Sequence, residues 1–118
     1  MLLIAGRATE ALENAQSILE AARKSGQRGL TAWTLRLAGQ AQADQGNFAA
    51  AQALLFESLD LAQMLGMRPL AAHCHRTLAE VGRKLGHHDE AEREAERSEA
   101  LYRALGMKLL PDRVIERA

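Results

Sequence analysis

The tripeptide Leu65-Gly66-Met67 recurs forty residues later as Leu105-Gly106-Met107, and Gly86 lies midway between the two copies. Gly6, Gly26, Gly46, Gly66, Gly86 and Gly106 all fall on one 20-residue spacing, which accounts for six of the nine glycines. Glycine enters the left-handed region without the steric penalty a Cβ imposes, so it is the residue that helix ends favour. A helix stop every twenty residues, inside a larger unit of forty, predicts stacked antiparallel helical hairpins. Each interval leaves room for a helix about 25 Å long once the turn is subtracted.

Apolar periodicity fills those intervals. A helix is predicted over 8–24, where Ala11, Ala15, Ile18, Ala22 and Ser25 keep the i, i+4, i+7 rhythm and Leu12 and Leu19 widen the stripe. A second spans 28–45, with Leu30, Leu35, Ala38 and Ala41 inward. Gly39 lies inside it, where glycine costs about 1 kcal/mol against alanine, a cost that close approach of a neighbouring helix would offset. The third covers 48–65, capped by the Asn47 side chain and striped by Ala51, Leu55, Ser58, Ala62 and Leu65. Each of these lies forty residues after a stripe position of the first helix. Pro69 opens a fourth helix that reaches 85, with His75, Leu78, Ala79 and Gly82 toward its partner. The fifth, 88–105, repeats the stripe as Ala91, Ala95, Ser98, Tyr102 and Leu105. Its many charges, among them Glu94, place its outer face in water, with Asp89–Arg93 and Glu99–Arg103 spaced as ion pairs. Leu109 to Ile115 read as a short terminal helix covering the last hairpin. Met1 to Ala5 read as the end of a helix that starts upstream, so the chain is expected to be part of a longer protein. No stretch alternates with period two.

The expected fold is therefore all-α: a single domain, 1–118, forming a right-handed stack of antiparallel helical hairpins. It has five long helices, a short C-terminal capping helix and approximate periods 6–45, 46–85 and 86–118. Aromatics make up only 3%, so the core must be built from alanine and leucine at close helix separations. Fifteen basic and fifteen acidic residues cancel. A neutral chain argues against nucleic acid or an anionic membrane surface, both of which are held by excess Lys and Arg. Cys74 is the single cysteine, which excludes an intrachain disulfide and fits a reducing, cytoplasmic setting. The apolar run Leu2 to Ala5 is too short for a secretion signal or a span.

The Gly-Asn and Gly-His breaks, followed by Ala51 and Ala91, resemble the tetratricopeptide repeat. In that family a small residue late in the first helix packs on an alanine early in the second. Gly39 with Ala51 and Ala79 with Ala91 fill those places. Leu35 and His75 occupy the position usual for tryptophan, and Phe48 and His88 that of the aromatic after the break. The forty-residue unit is longer than the family's usual ~34 residues. Gly82 departs from the pattern, where a larger residue is common, and implies a looser contact. The segment Leu70 to Ala91, together with Tyr102 to Met107, is similar to the C-terminal repeat region of large bacterial signalling proteins. Those join an ATPase module to an adenylate-cyclase-like or transcription-regulator domain. The resemblance implies an interaction or sensor region whose catalytic partners lie elsewhere in the parent chain.

All four histidines and Cys74 fall between residues 73 and 88, which raises the question of a metal sensor. His73, Cys74 and His75 are consecutive on a helix and fan apart at 100° each, whereas a zinc pair needs i, i+4 spacing. His87 and His88 lie about 18 Å further along. The alternative is that His75 packs between helices, Cys74 fills the core, and His87 and His88 cover the next helix. The serines lie in stripes or at helix ends, no His–Asp relay or phosphate loop is present, and no cofactor is expected. The chain is read as non-enzymatic.

In the resembled family the first helix of each hairpin lines a concave groove. Here that implies a partner-binding row of Trp33, Arg36, Gln40 and Asp44, repeated as His73, Arg76 and Glu80, with Arg83 and Lys84 near the rim. Arg36 and Arg76 would stand one above the other, able to hold a carboxylate or backbone carbonyls. Arg76, Glu80 and Lys84 are alternatively i, i+4 neighbours that pair among themselves. Trp33 is either core or a groove anchor. Chaperone-binding members hold a terminal carboxylate with a Lys/Asn clamp; Leu37 and Thr77 stand where the asparagines would be, so that activity is not implied. The expected function is protein–protein interaction, with a peptide, a partner protein or other domains of the parent chain. Self-association to a homodimer through an exposed apolar end is the alternative.

Overall fold

The structure is a computed structural model that describes the backbone of residues 2–106 and side chains from Thr9 onward. Five helices follow one another: α1 (Leu2–Lys24), α2 (Arg28–Asp44), α3 (Phe48–Leu65), α4 (Arg68–Lys84) and α5 (His88–Ala104). No strand occurs among the described residues. The segment expected to form the capping helix lies outside them. No helix among them is long and apolar enough to cross a membrane.

The turns are built alike. Gly26, Gly46, Gly66, Gly86 and Gly106 take φ between 69° and 84°. After each of the first four, the next amide reaches back five residues: Gln27 to Ala22 O (2.9 Å), Asn47 to Gln42 O (2.9 Å), Met67 to Ala62 O (2.8 Å) and His87 to Gly82 O (2.8 Å). This pairing satisfies carbonyls that the helix end would otherwise leave open. Two local expectations change. Gly6 ends nothing, because α1 runs unbroken from Leu2 through it, so residues 2–5 belong to the first long helix. Asn47 does not cap α3 with its side chain: its backbone sits at φ −89°, ψ 70°, and its Nδ2 donates instead to Gln42 Oε1 at 2.9 Å. Pro69 opens α4 as expected.

Helices α2 and α3 form one hairpin and α4 and α5 the next; α1 packs on α2, α3 on α4, and α2 also meets α4. The core is small-residue and aliphatic, with Leu35, Leu55, Leu70, Val81, Cys74 and Ser58 fully enclosed. Gly39 permits the close contact its position implied: a Cβ there would lie 2.8 Å from Leu55 Cγ and 3.3 Å from Ala51 O. Gly82 reverses the expectation of a loose contact, since a Cβ would meet that of Ala91 at 3.2 Å. The closest approach in the second hairpin has moved one turn along α4. Each hairpin carries the same tie: Ser58 Oγ donates to Ala32 O (2.7 Å) and Ser98 Oγ to Ala72 O (3.1 Å), forty residues apart.

The stripes of α1 and α2 are only partly covered. Ala15, Leu19 and Ala22 are buried, but Ala11 and Ile18 are exposed, as is Leu30 on α2. Their counterparts Ala51, Ser58 and Leu70 are enclosed, because α3 and α4 have a neighbour on the side where α1 and α2 have none among the described residues.

Candidate functional site

The residues expected to line a groove lie on α2 and α4, which meet each other. Trp33 is 36% exposed, and its ring centroid lies 6.1 Å from that of His73, the rings tilted by 47°. Trp33 is thus partly covered by His73 and stands outside the core. His73 in turn meets Tyr102 edge-on, centroids 5.6 Å apart, and Tyr102 OH is 2.8 Å from His73 Nδ1. From periodicity alone Tyr102 is only a stripe residue of α5. It is buried near the end of α5, which an antiparallel hairpin places beside the start of α4. Counting outward from the Gly86 turn, thirteen residues back and sixteen on, is the signal that could have found it.

Two guanidiniums flank this aromatic row. The Arg36 guanidinium carbon lies 5.9 Å from the Trp33 ring centroid, within cation–π range. Arg76 pairs loosely with Glu80, Nε to Oε1 at 3.7 Å, beyond hydrogen-bond length. Nε of both arginines is buried without a hydrogen-bond partner. His73 feels the result: burial lowers its pKa below the usual histidine value, and the positive charges of Arg36 and Arg76 lower it further. Cys74, next to it, points into the core, where its Sγ donates to Ser58 Oγ at 3.3 Å. Burial raises its thiol pKa, while the Ser58 hydrogen bond and Arg36 oppose that rise, so the thiol is an unreactive core group.

The row continues away from the aromatic end. Gln40 Nε2 donates to Asp44 Oδ1 at 3.1 Å, and both border a shallow hollow of ≈ 140 Å³ with Glu80, Lys84 and Phe48. The structure therefore brings together Trp33, Arg36, His73 and Arg76 at one end and Gln40, Asp44, Glu80 and Lys84 at the other. Arg83 belongs to neither group. It borders a hollow of ≈ 390 Å³ with His88, Glu92, Glu96 and Glu99, between α4 and α5. It lies about 100° round the helix from Lys84, and it is the counterpart of Ala43, which packs against the core.

Among the described residues no three His, Cys, Asp or Glu side chains are gathered as a metal-ligand set. His73 is engaged by Tyr102. His75 is buried between α4 and α5, with Nδ1 2.8 Å from Glu94 Oε1, and Arg97 Nη1 reaches the same oxygen at 3.2 Å. The run of charges in α5 points Glu94 toward water, but the structure encloses it. It is buried because, three residues after Ala91 and four before Ser98, it sits on the inward stripe.

A family profile described as "Tetratricopeptide repeat" matches residues 1–64. That stretch includes α2, its Gly46 turn and most of α3. No curated protein matches the chain.

Proposed function

Because the chain belongs to the tetratricopeptide repeat family, whose members are generally protein–protein interaction modules, we propose that it is a non-catalytic scaffold segment binding a peptide or partner domain across α2 and α4. The observation that carries this reading is the cluster of Trp33, Arg36, His73 and Arg76. Two arginines and two rings repeat at one forty-residue interval on neighbouring helices. Rings and arginines are also the side chains that dominate binding energy at interfaces. The balanced charge supports a protein partner over nucleic acid or membrane. The similarity of the second half to repeat regions of bacterial signalling proteins supports a cytoplasmic role, in which other domains of the parent chain are one class of partner. Affinity capture with the intact array, repeated with Arg36→Ala and Arg76→Ala, tests the assignment. A captured protein that both variants retain at full yield moves the binding surface elsewhere.

Self-association is a second reading, favoured by one specific observation. Ile18, Leu30 and Leu37 are 46%, 42% and 52% exposed on the outer side of α1 and α2. Their counterparts Ser58, Leu70 and Thr77 are buried. Light scattering across a wide concentration range separates the two readings, and a monomer at every concentration eliminates the dimer.

A further inference from the structure

The polar groups at the aromatic end of the groove share one property: each is a hydrogen-bond donor. The indole of Trp33 and the guanidiniums of Arg36 and Arg76 have no acceptor atoms. His73 carries one donor and one acceptor when neutral, and Tyr102 decides which nitrogen is which. Tyr102 is buried, and His73 Nδ1 is the hydrogen-bond partner found for its hydroxyl. If Nδ1 carried the proton, the hydroxyl hydrogen would lose the one acceptor found for it, which is unfavourable in a largely buried place. The hydroxyl therefore donates to Nδ1, and the imidazole proton sits on Nε2. Burial, and then the charges of the two arginines, work in the same direction by favouring the neutral ring.

Charge sharpens the picture. Arg76 has Glu80 four residues on, but the α2 counterpart of Glu80 is Gln40, and Gln40 is bound to Asp44. Arg36 has no carboxylate partner among the described residues. Glu80, reaching from the other end of the row, offsets Arg76, so Arg36 leaves a single unbalanced positive charge beside a neutral imidazole.

We propose, building on the groove reading above, that Trp33, Arg36, His73 and Arg76 form a receptor for one aspartate or glutamate side chain of a partner protein. The carboxylate replaces the counter-charge that Arg36 lacks and accepts from donors on both helices. Tyr102 is a positioning residue, acting through the tautomer of His73.

Trp33 is the only tryptophan, so its fluorescence reports on the site directly. The probe is a short peptide, acetylated and amidated so that no chain terminus carries charge, with one central glutamate flanked by leucines. Its control has glutamine in place of the glutamate. The glutamate peptide is expected to shift Trp33 emission and bind about tenfold more tightly than the control, with the advantage shrinking at high salt. Arg36→Met should abolish that advantage while circular dichroism and Tm show the helices intact. Arg36→Lys should keep part of it, since charge is retained and the planar fork is lost. Tyr102→Phe should reduce the preference for glutamate without changing the response to salt. Equal binding of the two peptides overturns the acid receptor and leaves the groove reading standing. An unmoved Trp33 with both peptides also overturns the receptor, and the capture experiment then decides separately whether the groove binds anything. A phosphoserine peptide that outcompetes glutamate overturns the single-charge argument.

Discussion

The two hairpins share a backbone plan and differ in what they enclose. Between α2 and α3 the contact is aliphatic: Leu35 and Leu55 are fully buried, and Gly39 lets α3 approach until Leu55 fills the space above it. Between α4 and α5 the place of Leu35 is taken by His75, hydrogen-bonded to a buried Glu94, and the close approach moves to Gly82 against Ala91. Yet both hairpins keep the serine tie to a carbonyl of the first helix and the same glycine turn. The turn and the tie act on the backbone, which every repeat must hold in one geometry. The side chains between the helices need only fill the space and satisfy their own polar atoms, so they are free to change character.

The comparison breaks most visibly in the aliphatic hairpin. Leu55→Ala should cost about 2–5 kcal/mol in urea denaturation, because Leu55 is fully enclosed and the cavity cannot collapse against helices already at close range. Gly39→Ala should cost about 1–3 kcal/mol alone by overpacking, yet much less in the Leu55→Ala background, where the clashing carbons are gone. Strict additivity of the two would show that Gly39 is not there for that contact.

In the polar hairpin the expected pattern is different. Glu94→Leu should cost about 1–3 kcal/mol by stranding His75, and adding His75→Leu should recover most of that loss, since removing both partners of a buried polar pair is often nearly neutral. A double variant as unstable as the sum of the singles would mean that the pair also dictates how α4 sits on α5. The shared tie should give a smaller and equal effect in both hairpins: Ser58→Ala and Ser98→Ala are each expected to cost about 1 kcal/mol.

The smallest difference is in pH dependence. His73 has a folded pKa below its unfolded value of 6.5, lowered by burial first and then by Arg36 and Arg76, with Tyr102 the facing group from α5. The unfolded chain therefore binds more protons between those two values. The contribution is fully present above pH 6.5 and is lost as pH falls from there through the folded pKa. Its counterpart Trp33 in the first hairpin does not titrate. Thermal melts of the wild type should show this acid-side loss, and His73→Gln should flatten it.

How much of this could be read in advance depends on which forces leave a mark in one dimension. The five long helices, their turn positions and the register between repeats were legible because a left-handed turn admits little besides glycine, and the chain repeats it at a fixed interval. Gly39 facing Ala51 was legible for the same steric reason. Gly6 shows the limit of that logic: a glycine can also continue a helix at modest cost, and only its neighbours decide. Glu94 was hidden in a run of charges, where composition points to water while its position in the stripe points inward. The Tyr102–His73 bond was hidden because it joins residues far apart in the chain, and helical periodicity describes one helix at a time. Arg83, expected near the rim, faces the α4–α5 side because a groove inferred from spacing has no sharp edge and one residue turns a helix by about 100°.

Successive helices run in opposite directions, so the five glycine turns fall alternately on two edges of the stack, at 26, 66 and 106 on one and at 46 and 86 on the other. At each of these turns nothing lies within 4 Å of the missing Cβ, and the neighbouring residues Ser25 and Leu65 on one edge and Asn47 and His87 on the other, all exposed, are open attachment points. The one native cysteine is buried. Pairs of dyes attached along the two edges would act as a strain gauge. Flexing of the stack would lengthen one row while shortening the other, whereas uniform swelling would lengthen both.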